Sequence, residues 1–177
     1  MAGTAVKYTG SGMVAASDTK YVKWVGKTKG GKAVTIELPK AICLSNPEWT
    51  FAEKDDTVPE IEFTALYDDN TLAGGDRTEP WSVEIADGTT TGNGEIILGV
   101  GKFYVGTSAS DAQCVGLTRG GGSFVVEREY REINADEDPG AVEGRIVQEG
   151  GRPKLKFNAL QWLTKVGTLY AGMKTQS

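Results

Sequence analysis

The chain predicts a mainly β fold with one α-helix, and three observations carry that expectation. Apolar residues recur at every second position in several short runs, the period of a strand with one buried face. Glycine occupies 24 of the 177 positions, and Val, Ile, Thr and aromatic residues fill the runs between the glycines. A helical spacing of apolar residues occurs in one stretch near the C-terminus. At 177 residues, a single domain spanning 1–177 with its own core is the expected organisation.

Tyr21 to Val25 and Ala33 to Leu38 read as a hairpin whose tip is Gly30-Gly31, because Val34, Ile36 and Leu38 alternate with Thr35 and Glu37. The lysines between them, Lys27, Lys29 and Lys32, read as a solvated turn. Glu48 to Phe51 opens a strand after Asn46-Pro47. Ile61, Phe63, Ala65 and Tyr67 alternate with Glu60, Glu62 and Thr64, and Trp81, Val83 and Ile85 repeat the pattern after a loop from Asp68 to Pro80. The polar stretch Asp87 to Gly94 has linker composition, and Ile96 to Val105 reads as a strand interrupted by Gly99 and Gly101. Lys154 to Phe157 forms a short strand. Asn158 then has the position of a helix N-cap, with Gln161 three residues on. Leu160, Leu163, Val166 and Leu169 or Tyr170 fall on one face of that helix, which packs on the sheet and stops at Gly172.

The most distinctive stretch runs from Gly116 to Gly144. Phe124 and Val126 alternate with Ser123, Glu127 and Glu129 along a strand from Ser123 to Ile133, and pairing resumes at Val142 to Val147. Asn134, Asp136, Asp138, Pro139 and Gly140 supply the turn between them. Glu127, Glu129, Glu132, Asp136, Glu137 and Asp138 outnumber Arg128 and Arg131, so this arm lies in solvent or against a neighbour rather than burying itself.

Composition narrows the chemistry. The chain has no histidine, which removes Ser-His-Asp and Cys-His catalysis, histidine metal ligation and any group naturally poised near neutral pH. A net charge of -5 disfavours nucleic-acid binding through counterion release. Cys43 and Cys114 lack metal-ligand spacing and read as buried, reduced thiols. Asp136-Glu137-Asp138 lacks the ligand register and closing Glu of a calcium loop, and Asp68-Asp69-Asn70 reads as a turn. Gly120 to Gly122 precedes a strand rather than a helix N-terminus, so it is no phosphate cradle. Trp24, Trp49, Trp81 and Trp162 sit on element faces and read as packing rather than a sugar platform. No catalytic, cofactor or metal site is expected, and neither a membrane span nor a secretory leader, so the chain reads as soluble and made in a cytoplasm.

The segments GEIILGVGKFYVG, VGLTRGGGSFVVEREYREI, GAVEGRIV and LKFNALQWLTKVGTLYAG together resemble the N-terminal half of the tail tube (major tail) proteins of long-tailed bacteriophages. YVKWVGKTKGGKAVTIELPKAI, EWTFAEKDDTVPEIEFTALYDDN and EPWSVEI resemble the C-terminal half. The halves come in reversed order. Residues 1–86 resemble the family's C-terminal half, 87–94 join the old ends, and 95–177 resemble its N-terminal half, so the chain looks circularly permuted. A permuted chain should have neighbouring ends, an exposed joining segment and poorly packed residues at 1–18 and 174–177.

The resemblance implies a two-sheet β-sandwich or split barrel with a flanking helix. Six copies would form a ring with a shared inner β-barrel, and rings would stack into the conduit for DNA ejection. It implies residence in the virion tail, other tail proteins as partners, and DNA passing through the lumen without specific binding. The acidic arm, Glu127 to Gly140, would then lie between subunits. A tube of a type VI-like secretion machine is the nearest alternative; a carbohydrate-binding β-sandwich and a carboxylate-based hydrolase are the alternatives of different classes, and no spacing picks out the convergent carboxylate pair that a hydrolase needs.

Overall fold

A computed structural model describes residues 7–11, 13–48, 58–67, 79–86, 97–133, 144–160 and 166–176. The chain is mainly β. Ten strands are described: β1 (Lys7–Gly10), β2 (Lys20–Thr28), β3 (Ala33–Cys43), β4 (Glu60–Ala65), β5 (Ser82–Ile85), β6 (Ile97–Gly106), β7 (Gln113–Cys114), β8 (Thr118–Glu132), β9 (Ile146–Ala159) and β10 (Met173–Gln176). Eight of them make one antiparallel sheet in the order β7-β6-β2-β3-β4-β9-β8, with β5 added beside β3; β1 and β10 make a separate two-stranded ribbon.

The hairpin of β2 and β3 follows the alternation in its sequence: Val22, Trp24, Val34 and Leu38 are buried, and Gly31 supplies positive φ at the tip. β3 is the strand on which the sheet turns. Its first half pairs with β5, from Val34 opposite Ile85 to Glu37 opposite Ser82, and its last residues pair with β4, from Ala41 opposite Ala65 to Cys43 opposite Phe63. Between these zones the register with β2 slips, from Val22 opposite Leu38 to Lys20 opposite Ala41. Pro39 falls at this slip, where a residue without an N–H interrupts no ladder bond.

β6 and β9 are separated in the sheet by three strands, yet the Phe103 ring stacks on Phe157 with centroids 4.4 Å apart. The sheet therefore curls until its wings face each other, and the core lies between them. Phe63, Phe157, Leu155, Ile61 and Val22 are buried there, as is Cys43. The margins are in contact at Gly122, where an added Cβ would lie 2.6 Å from Phe103 Cζ on β6 and 2.5 Å from the Lys156 carbonyl oxygen of the paired strand β9. Only glycine lets the margins meet.

Three expectations are corrected. Asn158 does not cap a helix: it continues β9 and pairs with Glu60, while Leu155, Phe157 and Ala159 keep the strand's alternation to its end. Both edges of β9 are occupied there, by β4 and β8, and long-range hydrogen bonding prevails over the local capping pattern. Among the described residues, the element after β9 is a 3-10 turn, Val166–Leu169, in place of the expected α-helix. Cys114 is exposed rather than buried, because its strand is only 2 residues long at the sheet's margin.

The described end segments are ordered by pairing. Lys7 lies opposite Gln176 and Gly10 opposite Met173, so β1 and β10 run side by side. Asp18 Oδ2 accepts from the backbone N–H of Ala15 at 2.9 Å and of Gly172 at 3.0 Å, tying the two segments together. The joining segment 87–94 lies outside the described residues, as do residues 49–51 of the strand expected from Glu48 to Phe51; Glu48 itself is not in a strand.

Candidate assembly interface

The arm consists of the distal parts of β8 and β9, paired from Val126 opposite Pro153 to Glu132 opposite Ile146. It is longer at its root than the sequence indicates, since β8 begins at Thr118. Between Thr118 and Gly122 the strand gains two residues over its partner, and Gly120 and Gly121 absorb them at φ 79 each. A second slip, between Glu129 and Tyr130, leaves Glu149 bulged next to Gly150 and Gly151.

Glu127, Glu129, Arg131 and Glu132 are all exposed on β8. Glu127 Oε1 lies 3.1 Å from Lys154 Nζ, and Arg131 pairs with Glu149 across the ribbon. Exposed pairs of this kind contribute little to stability. Asp136, Glu137, Asp138 and Gly140 lie outside the described residues. The apolar residues of the distal arm are also exposed: Tyr130, Ile133, Ile146 and Val147. Alternation places Tyr130 and Ile146 on one face of the ribbon and Ile133 and Val147 on the other. The hydrogen bond that Arg128 donates to the Tyr130 hydroxyl oxygen is the largest influence on it, holding its guanidinium proton more firmly than usual.

The residues expected to line a helix face fare differently. Leu169 is buried in the core, and Leu160 is half-buried just past β9, its N–H donating to the Leu117 carbonyl at 2.9 Å. Leu163 and the Val166 side chain lie outside the described residues. Tyr170 holds the chain against the core. Its hydroxyl donates to the Glu60 carbonyl at 3.4 Å, and burial pushes its pKa up to about 12.

A hydrogen-bonded clamp on the distal arm, at the level of Tyr130, has no counterpart in the sequence pattern. Glu79 Oε2 accepts from the Tyr67 hydroxyl at 3.2 Å and from Trp81 Nε1 at 3.3 Å, while Glu79 Oε1 accepts from Gln148 Nε2 at 3.0 Å. Trp81 in turn tilts against Phe124 at 5.6 Å. One carboxylate thus joins the segment before β5 to the first residues of β9, opposite Tyr130. Gln148 and Glu79 are 69 positions apart, which is why no local pattern announces the contact. Glu79→Ala is expected to destabilise the fold by about 1–3 kcal/mol, because three part-buried donors lose their acceptor. Hydrogen exchange should accelerate at Gln148 to Gly151; a loss under about 0.5 kcal/mol with unchanged exchange would show that the clamp holds nothing.

The two margins of the sheet flank an open cleft of about 1010 Å3. Its walls include Trp24, Val34, Phe103, Phe124 and Leu155, and the charged residues that line it are Lys27 and Lys102. No carboxylate lines it among the described residues. A smaller hollow of about 250 Å3 lies beside the loop after β6. There the Asp111 carboxylate accepts from the Thr107 and Ser108 backbone at 3.1 and 2.6 Å and from both hydroxyls, which holds it well below the usual carboxylate range. That carboxylate is occupied by its own turn.

Among the described residues there is no cluster of three or more potential metal ligands and no helix long and apolar enough to cross a membrane. Trp24 is buried and Trp81 is half-buried against Phe124, so neither offers an open stacking face; Trp49 and Trp162 lie outside the described residues. Comparison with protein-family models, curated proteins and solved structures gives no match.

Proposed function

We propose that this chain is a self-assembling structural subunit of a tube, of the kind that the tail tube proteins of long-tailed phages form. The observation that carries the reading is the combination of a sheet with unjoined margins and an arm that exposes apolar residues to solvent. Among the described residues, β8 pairs with β9 along one edge only, and β6 is covered on its outer edge by β7 only at Tyr104 and Val105. Long free strand edges are a pairing hazard that proteins either blunt or use. Here they belong to a chain whose segments resemble a family of ring-forming subunits.

In this reading the two-layer arrangement of the family corresponds to the two wings of the curled sheet, and residues 87–94 join what would be the family's ends. Copies related by rotation would cover one another's edges, and closing the ring would remove them. The function is mechanical, with no substrate, cofactor or turnover, and DNA would pass through the lumen without specific contacts. An acidic chain suits such a wall, since like charge keeps phosphate from adhering. The setting would be a virion tail, with other tail proteins at the ends of the tube.

Electron microscopy of the purified chain across a concentration series tests the reading. Hollow rings or tubes are expected at high concentration. A monodisperse monomer at every concentration would reject it.

A further inference from the structure

Folding gathers lysines from two distant stretches of the chain onto one face of the sheet. Trp24 and Phe103 are buried on the inner face, and strand alternation turns the side chains of Lys23, Lys27 and Lys102 to the outer one. Lys102 lies opposite Val25, so it stands diagonally between Lys23 and Lys27 on the neighbouring strand, roughly 7–8 Å from each. Lys29 follows at the exposed hairpin tip. The carboxylates on the adjoining strands of this face are Glu37 on β3 and Glu84 on β5. Glu37 is held by Lys23 at 3.3 Å. Glu84 shares a row with Lys102 but stands three strands away, roughly 14 Å. Lys27, Lys29 and Lys102 have no carboxylate partner among the described residues.

We propose that this outer face of β2 and β6 binds the phosphate backbone of duplex DNA, with Lys27, Lys29 and Lys102 supplying the charge. Tyr104, opposite Lys23, and Thr35, opposite Val25, place on the same face the hydroxyl donors that accompany lysine at phosphates. A duplex carries one negative charge per roughly 1.7 Å of axis, so any orientation across the patch brings several phosphates within reach. The net charge of -5 does not forbid the contact, because salt screens exposed charges beyond about 8–10 Å and the local field decides what binds. An anionic bilayer fits less well. Proteins that lie on membranes sink apolar side chains among the headgroups, whereas the residue between these lysines is the half-buried Val25. The proposal goes beyond the tube reading and does not rest on it; a contact to phosphate alone reads no sequence.

Fluorescence anisotropy of a labelled mixed-sequence duplex, titrated with the full-length chain across a salt series from about 25 to about 200 mM, tests the proposal. The logarithm of the binding constant should fall against the logarithm of salt with a slope of about -2.7, about -0.9 for each of three lysines. Lys27→Gln with Lys102→Gln should weaken binding about tenfold at the lowest salt and flatten the slope by about 2. Lys154→Gln with Lys156→Gln is the matched control. It makes the same change in net charge at lysines already paired with Glu127 and Glu60, and it should leave affinity and slope as they were. Acetylation footprinting of the unsubstituted chain gives a second measurement that no variant can disturb: the duplex should protect Lys27, Lys29 and Lys102 and leave Lys154 and Lys156 reactive.

Absence of binding at the lowest salt, or equal losses in the two lysine pairs, would overturn the proposal. So would protection that falls elsewhere on the chain, or tighter binding to phosphatidylserine–phosphatidylcholine vesicles than to the duplex.

Discussion

Gly101→Ala is expected to displace the Trp24 indole and to lower stability by about 1–3 kcal/mol, the range for overfilling a packed core. Gly26 and Gly101 lie opposite each other on β2 and β6, and the indole is laid across both. A Cβ at either position would overlap ring atoms: at Gly26 it would lie 2.5 Å from Trp24 Cζ2, and at Gly101 2.6 Å from the same atom. The tryptophan covers a stretch of strand that has no side chains of its own, and the missing side chains make room for the tryptophan. Trp24→Ala alone should cost about 3–5 kcal/mol. In that background Gly101→Ala should become nearly neutral, since the ring it struck is gone and alanine suits a strand better than glycine. Urea midpoints of the four variants measure the coupling; strict additivity would show that ring and glycines do not depend on each other.

Phe157→Ala should remove about 3–5 kcal/mol, a large fraction of the roughly 5–15 kcal/mol that stabilises a typical domain. Phe157 is fully buried between two rings, with Phe103 at 4.4 Å and Phe63 at 6.3 Å. Phe103 belongs to β6 and Phe63 to β4, so this one side chain bridges the wings that the curled sheet brings together. The loss should appear as a lower denaturation midpoint and also as a smaller denaturant slope, if the wings part before the sheet unravels. An exposed-face control, Val125→Ala, should change stability by no more than about 0.5 kcal/mol. Equal effects at the two positions would refute this view of the core.

Much of the sheet is legible from period two alone. Val34 and Leu38, or Ile61, Phe63 and Ala65, announce both their strand and its buried face, and all five are buried. The arm is legible too, because its alternation runs into a cluster of turn residues. The stretch after Phe157 is not. Leu160, Leu163, Val166 and Leu169 have helical spacing, yet Asn158 and Ala159 already have partners in Glu60 and Thr118, which are distant in sequence. The same holds for Glu79, whose role depends on Gln148, and for Thr118 to Gly122, where three glycines read as a break although the strand passes through them with two extra residues. Local pattern carries what one strand needs from solvent and core. It does not carry which strand will arrive on its other edge.

The ribbon of β1 and β10 gives the molecule a defined response to pulling. Lys7 and Gln176 are paired at the same end of that ribbon, with Gly10 and Met173 at the other. Tension applied between Lys7 and Gln176 therefore loads a single cross-strand pair at a time and opens the ribbon like a zip fastener, instead of shearing all four pairs at once. Force is spent there before it reaches the sheet. A cargo attached at either end would hang from a short, sacrificial tether, while load carried laterally through β8 would meet the long ladder it shares with β9.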